Sequence, residues 1–248
     1  MYILGDIGNT DTKAFLVSTK KKIIKRLIFP TKEITKIKLI KLFDQFETDY
    51  KKIEKILFCS VVPKSFTLIS NFLSKKTDLK CYEVKKLDLK SIIKTKVNYN
   101  QIGSDRITNA ISLMNNKTNF IILDFGTATT FDVLIKDTYR GGVIAPGIKL
   151  SLNTLINKAT LIPKVDLKKI KNVIGNDTNS AVRSGFFWGY AGLIDNIIYL
   201  IKKETRKSFK VIITGGFSNL FKNSIKTKVT HNKDITISGL IKISKLIK

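Results

Sequence analysis

FIILDFGTATTFDVLI (residues 120–135) repeats, in the second half of the chain, the layout of YILGDIGNTDTKAFLV (residues 2–17) in the first. Each stretch reads as an apolar strand, a glycine-containing turn and a second strand. Set side by side at one constant offset, close to half the chain, they match at Asp6 and Asp124, Gly8 and Gly126, Thr12 and Thr130, and Leu16 and Leu134. A repeat that long is no solenoid period. It predicts two similar domains related by duplication, residues 1–116 and 117–248, joined in the polar run Asn115-Asn116-Lys117-Thr118.

The flanking sequence extends this pattern. In the first half, strands over residues 2–4, 13–18 and 22–29 form a meander closed by Pro30. Ile34, Ile37, Ile40, Leu42 and Phe43 fall at helical spacing within residues 33–46. A short buried strand (56–60), a helix (64–72), a strand (81–84), a polar loop (87–101) and a helix (102–114) follow. The second half continues with a strand (140–144), a Pro146-Gly147 turn, a helix (148–157) and a loop containing Pro163. A long helix (177–204), a strand (210–213) and a C-terminal amphipathic helix (235–248) complete it. Gly185, Gly189 and Gly192 interrupt the long helix at a spacing that permits close approach of another helix. Two βββαβα halves make a mixed α/β protein.

Composition narrows the class. The 248 residues carry 45 Lys plus Arg against 19 Asp plus Glu, a formal charge of +26, yet 43% are hydrophobic. Disordered chains pair high charge with low hydrophobicity, so a basic tail is excluded. The charge alone suggests nucleic acid or an anionic membrane. Arginine, however, occurs only at Arg26, Arg106, Arg140, Arg183 and Arg206. Readers of nucleic acid favour arginine for its bidentate geometry. A lysine excess beside abundant Ile and Asn reads instead as compositional bias, and no nucleic-acid partner is expected. Cys59 and Cys81 have neither metal nor redox spacing, which suggests reduced thiols in a cytoplasmic protein. The N-terminus has no basic region and carries Asp6 within its apolar stretch, so no signal peptide is expected. No apolar run approaches the roughly 20 residues of a membrane span.

Four segments carry chemistry. In each Asp-x-Gly turn, glycine lets backbone N–H groups approach an anion. Thr10 and Thr12 add hydroxyls to the first turn. The aspartate repels phosphate but can hold a cation or its waters beside it. Two such turns facing each other would clamp phosphates across a cleft. VIITGGF (211–217) is a buried strand running into two glycines, where a flat group such as adenine can lie on backbone. Gly103-Ser104-Asp105-Arg106 places a carboxylate and a guanidinium at a helix start, where backbone donors are free. That pair suits a general base beside an anion-binding group. Neither a P-loop nor a G-x-G-x-x-G is present.

Taken in order, DIGNT (6–10), SVVP (60–63), GSDR (103–106), DFGTATT (124–130), GGVIAPG (141–147), GNDTNSAVRSG (175–185), TGG (214–216) and DITISGL (234–240) resemble type III pantothenate kinases over essentially the whole chain. The resemblance implies two duplicated ribonuclease H-like, actin-like ATPase domains of the acetate and sugar kinase superfamily, with the active-site cleft between them. It implies ATP-dependent phosphorylation of pantothenate, the first step toward coenzyme A. Asp6, Ile7, Gly8, Asn9, Thr10, Asp11, Thr12 and Lys13 would form the first phosphate loop, with Asp6 near magnesium and Thr127 also touching ATP. Asp124 would serve a monovalent-cation site for potassium or ammonium. Asp105 would be the base that deprotonates the acceptor hydroxyl. Tyr99, Gly103, Ser104, Asp105, Arg106 and Thr178 would contact pantothenate. The stretch Asn98 to Ile102 is shorter than in many relatives and lacks their proline. A homodimer is also implied, with the glycine-containing helix as its contact. Two rivals are another small-molecule kinase of the same fold, for sugar or acetate, and a non-catalytic nucleic-acid-binding or regulatory protein. Retention of Asp6, Asp105 and Asp124 together speaks against the second.

Overall fold

The computed structural model describes residues 1–47 and 50–247. In chain order the strands are β1 (Tyr2–Ile7), β2 (Asp11–Val17), β3 (Ile23–Pro30), β4 (Lys55–Ser60), β5 (Cys81–Glu83), β6 (Lys94–Thr95), β7 (Phe120–Phe125), β8 (Ala128–Ile135), β9 (Thr138–Pro146), β10 (Lys210–Gly215) and β11 (Val229–His231). The helices are α1 (Lys36–Asp44), α2 (Pro63–Thr77), α3 (Ser104–Leu113), α4 (Ile148–Lys158), α5 (Thr178–Thr205), α6 (Ser218–Phe221) and α7 (Ile235–Ile243). The segment expected to be a plain loop, 87–101, holds β6 and a 3-10 turn, Tyr99–Gln101. Of the C-terminal helix expected over 235–248, α7 and a 3-10 turn (Ser244–Leu246) are observed, and Lys248 lies outside the described residues.

Two compact units result, one of Met1–Met114 with Asp234–Lys248 and one of Asn115–Lys233. The linear division expected from the sequence, with 117–248 as the second domain, differs in where the last helix belongs. Physical ties explain it. Any Cβ on Gly239 of α7 would sit 2.1 Å from the Thr108 carbonyl oxygen of α3, so these two helices pack backbone to backbone. Thr236 donates to Asn109 Oδ1 at 2.8 Å, and Lys242 Nζ donates to the Ser112 carbonyl at 2.6 Å, occupying the free C-terminal acceptors of α3. Lys55 Nζ donates to the Ser244 carbonyl at 3.3 Å.

In the first unit the strand order is β3-β2-β1-β4-β5, antiparallel within the meander and parallel from β1 through β4 to β5. In the second, β9-β8-β7-β10-β11 repeats that order and those senses. This is an α/β architecture of helix-flanked mixed sheets. Period-2 alternation then sorts β1. Ile3 and Ile7 point into a core with Leu39, Phe43 and Ile69 of α1 and α2. Leu4 and Asp6 take the other face, on which α7 and α3 pack. The core of the second unit joins Ile121, Leu123 and Ile213 to Phe187 of α5 and to Phe221, whose ring stacks on Phe125 at 5.5 Å.

Candidate functional site

Asp6 sits at the end of β1 on the face shared with α3. Its register partners are Lys13 across the antiparallel ladder and Cys59 on the parallel one. Side chains directly opposite in a sheet share a face, so a lysine and a thiol flank this carboxylate. Cys59 Sγ donates to Asp6 Oδ1 at 3.5 Å. Burial pushes the Asp6 carboxyl up to about 6; Lys13 works against this shift, and the charge of Asp105 adds to it. The charge of Asp105 reaches both Asp6 and Cys59, which sets it near them in the same unit. Cys59 responds to both carboxylates, and burial together with their charge drives its thiol far above the ordinary range, leaving it unreactive.

The first turn closes with Gly8 N–H donating to the Asp11 carbonyl at 3.0 Å. Thr31 props it from behind: its hydroxyl donates to the Gly8 carbonyl at 2.7 Å and its N–H to the Thr10 carbonyl at 2.9 Å. Thr12 had been expected to offer its hydroxyl to phosphate, but its side chain is fully buried. It lies opposite Ile7 on the core face, and its hydroxyl pairs with Thr31 at 2.9 Å. Thr12 is therefore a strut of the loop, and Ile7, also fully buried, contributes only backbone there. Asn9, Thr10 and Asp11 form the exposed tip.

At the start of α3, Gly103 takes the N-cap position and Asp105 falls in the first turn. The Arg106 N–H donates to Asp105 Oδ1 at 2.8 Å. Burial raises the Asp105 pKa, while that N–H and the Arg106 charge oppose the shift. Ser104 is buried and donates to Glu83 Oε1 at 2.6 Å. Tyr99 leads into this segment, and its hydroxyl is out of solvent with no hydrogen-bond partner.

The first unit thus brings together Asp6, Lys13, Tyr99, Gly103, Ser104, Asp105 and Arg106. Asp124, Thr127 and Thr178 are carried by the second unit. Asp124 ends β7 with Thr130 and Thr214 as register partners, so hydroxyls stand where Asp6 has a lysine and a thiol. Gly215 adopts φ +87°, and a Cβ there would lie 2.5 Å from Asp124 Oδ1. Thr127 is exposed at the hairpin tip. Thr178 is exposed at the first position of α5, behind the Asp177–Ser180 capping box.

Sequence reasoning missed Cys59, Glu83 and Lys85. Cys59 was read as a buried thiol, which it is; its place beside Asp6 depends on the β1–β4 register. Glu83 and Lys85 showed only as charges ending an apolar strand.

Among the described residues no helix is long and apolar enough to cross a membrane, and no cluster of three or more His, Cys, Asp or Glu side chains could hold a metal unaided. A family model described as type III pantothenate kinase matches residues 2–199. The chain is 66% identical over 248 residues to a type III pantothenate kinase from Pelagibacter ubique (strain HTCC1062), covering all of both proteins. Among solved structures it resembles a candidate Baf family transcriptional activator from Campylobacter jejuni, with TM-score 0.62 and 20% identity, over 98% of this chain and 97% of that one. It also resembles a candidate 2-dehydro-3-deoxygalactonokinase from Sinorhizobium meliloti, with TM-score 0.61 and 7% identity, over 100% and 99%. At these identities the structural likenesses speak for the fold alone, which the sugar-kinase and actin-like ATPases share.

Proposed function

The chain belongs to the type III pantothenate kinase family, and we propose that it transfers the γ-phosphoryl group of ATP to the primary hydroxyl of pantothenate, with Asp105 as the base. The observation that supports this assignment of roles is that Asp105, in the first turn of α3, lies near enough for its charge to act on both Asp6 and Cys59. A carboxylate whose pKa is raised by burial accepts a proton more readily than a surface aspartate. As the pantothenate oxygen forms its bond to phosphorus and the bond to the bridging oxygen of ADP breaks, the hydroxyl proton passes to Asp105. Lys13 and free backbone donors at the tip of the first turn would meet phosphate charge. Arg106, Ser104, Gly103, Tyr99 and Thr178 would orient the acceptor.

Magnesium fits Asp6. A carboxylate whose pKa is raised by burial, and further by a neighbouring carboxylate, would gain from a divalent cation, which one or two carboxylates hold together with substrate phosphates. A monovalent cation, potassium or ammonium, fits Asp124, where Thr130 and Thr214 add oxygen ligands and Gly215 leaves the room a Cβ would fill. Each cation, bound at its carboxylate, would supply fixed positive charge for phosphate oxygens.

A homodimer through α5 belongs to the same reading. A Cβ added at Gly185, Gly189 or Gly192 meets nothing within 4 Å, so the close approach these glycines permit is not used inside this chain. Gly185 and Gly189 line an open apolar groove of about 400 Å³ with Leu155, Val182, Phe186 and Leu193. Light scattering at twice the 28.0 kDa chain mass is expected, and a monomer at working concentration would refute it.

The test of the base is Asp105→Asn. Turnover with pantothenate should fall by about 10²–10⁴ while ATP still binds. A wild-type rate would overturn the assignment.

A further inference from the structure

The residues that hold the acceptor segment in place lie outside every motif quoted above. β5 ends at Glu83 and passes into a 3-10 turn, Val84–Lys86, anchored by fully buried Val84. Two side chains leave this turn in the direction of the acceptor segment. Glu83 is forked: Oε2 accepts from the Lys85 N–H at 2.9 Å, and Oε1 accepts from the Ser104 hydroxyl at 2.6 Å. The half-buried Lys85 Nζ donates to the carbonyls of Asn100 and Ile102, both at 2.8 Å, and lies 5.4 Å from the centroid of the Tyr99 ring. An ammonium has three donors; two are spent on carbonyls and its charge faces an aromatic ring.

The segment needs such a tether. Residues 98–102 contain no proline and make no strand ladder. Short-range bonds hold their backbone: Gln101 N–H to the Asn98 carbonyl at 3.0 Å, Ile102 N–H to the Tyr99 carbonyl at 3.2 Å and Asn100 N–H to Asn98 Oδ1 at 3.0 Å. The Tyr99 hydroxyl is removed from solvent and unpartnered, a polar group with a donor to offer. Burial, and then the charges of Glu83 and Asp88, raise its pKa, so it stays a donor.

We infer that Glu83 and Lys85 are positioning residues for the acceptor: Lys85 holds Tyr99 at the depth and angle that let its hydroxyl meet a polar group of the acceptor, and Glu83 fixes the start of α3 one residue before Asp105. This rests on the kinase reading above. It goes further in assigning recognition of the acceptor, and not of the nucleotide, to a turn that touches neither.

Steady-state kinetics of the full-length protein test it, with wild type measured first. Absence of phosphate transfer to pantothenate by wild type would refute the kinase reading itself. Given wild-type activity, Lys85→Met should raise the KM for pantothenate about tenfold or more, with the KM for ATP within about twofold. Lys85→Arg, which keeps donors and charge, should recover most of that loss. Glu83→Gln, which keeps an acceptor for Ser104, should shift the same KM in the same direction by less. Should Lys85→Met prove poorly folded by its melting curve, the Lys85→Arg and Glu83→Gln pair decides. Equal changes in both KM values, or no change in the pantothenate KM of any folded variant, would overturn the inference.

Discussion

The two units are built on one plan and differ where that plan meets chemistry. Asp6 and Asp124 end the equivalent central strands β1 and β7. Beside Asp6 stand Lys13 and Cys59; beside Asp124 stand Thr130 and Thr214. One carboxylate is placed against a cation and a poor hydrogen-bonding thiol, the other among hydroxyl oxygens. The next positions diverge further. Val61 N–H donates to the Ile7 carbonyl at 3.1 Å, as Gly216 N–H donates to the Phe125 carbonyl at 3.0 Å. Cys59-Ser60-Val61 in the first unit therefore corresponds to Thr214-Gly215-Gly216 in the second. The first runs into Pro63 and the long helix α2; the second turns through left-handed Gly215 into the single turn of α6. The two sheets share one order, while their strand ends differ, one carrying charge and the other glycine.

The largest effect that could break this contrast comes from exchanging the two acids for asparagine. Asp6→Asn should reduce turnover by about 10³-fold or more, because it removes the carboxylate that would hold magnesium beside the phosphates. Asp124→Asn should cost about tenfold and abolish the advantage of potassium over sodium. Asp6→Asn should also alter stability with pH. The folded-state pKa of Asp6, about 6, lies above its ordinary 3.8, so the folded protein binds this proton more tightly than the unfolded one. Stability is then full below about pH 4 and falls as pH rises through 6. Asp6→Asn should therefore stabilise the nucleotide-free protein by about 1–3 kcal/mol at pH 8. Melting curves at pH 5 and pH 8 check this, and parallel curves for wild type and variant would contradict it. The acid limb of kcat/KM should likewise lie near 6 and move down with added magnesium.

A smaller effect separates the strand ends. Gly215→Ala puts a side chain at φ +87° with its Cβ 2.5 Å from Asp124 Oδ1, and should cost about 1–3 kcal/mol. Ser60→Ala at the corresponding place loses two local bonds, Val62 N–H to the Ser60 hydroxyl at 3.1 Å and that hydroxyl to the Val62 carbonyl at 3.2 Å, and should cost less, about 0.5–1 kcal/mol. Equal losses in chemical denaturation would mean that the shelf carries no special backbone demand.

Much of this plan was legible in the sequence, because the repeated Asp-x-Gly turns are local and the apolar alternation around them is regular. Register was not. At constant sequence offset Thr12 matches Thr130, but in the ladders Thr12 opposes Ile7 as Thr129 opposes Phe125. The turn closing at Gly126 and Ala128 is one residue tighter than the one closing at Gly8 and Asp11. Both Thr12 and Thr129 are fully buried, which is why a hydroxyl expected at the phosphate site is in the core. The correspondence of SVVP with TGG was equally hidden, since the two share no residue type and only parallel pairing aligns them. The return of α7 to the first unit depends on Gly239 meeting Thr108, a contact between segments far apart in the chain that no local periodicity encodes. Asp105 could be read as a base candidate from its helix start, but its proximity to Asp6 follows from the face of β1 on which α3 packs.

The finest distinction between the two acids is the donor beside each. At Asp6 it is Cys59, whose thiol reaches Oδ1 at 3.5 Å, a weak bond that nonetheless favours the charged carboxylate. Cys59→Ser would place a stronger hydroxyl donor there and make this neighbour resemble Thr214. The charged form of Asp6 should gain, and the acid limb of kcat/KM should move down by less than about one unit. Cys59→Ala removes the donor and leaves Lys13 alone to oppose burial and Asp105, so the same limb should move up. Because both variants are small and the site is buried, packing losses push stability the same way in each, whereas the acid limb is expected to split in opposite directions. Limbs that shift together would show that Cys59 acts on Asp6 only by filling space, and the difference between the two units at this position would then be one of packing rather than of electrostatics.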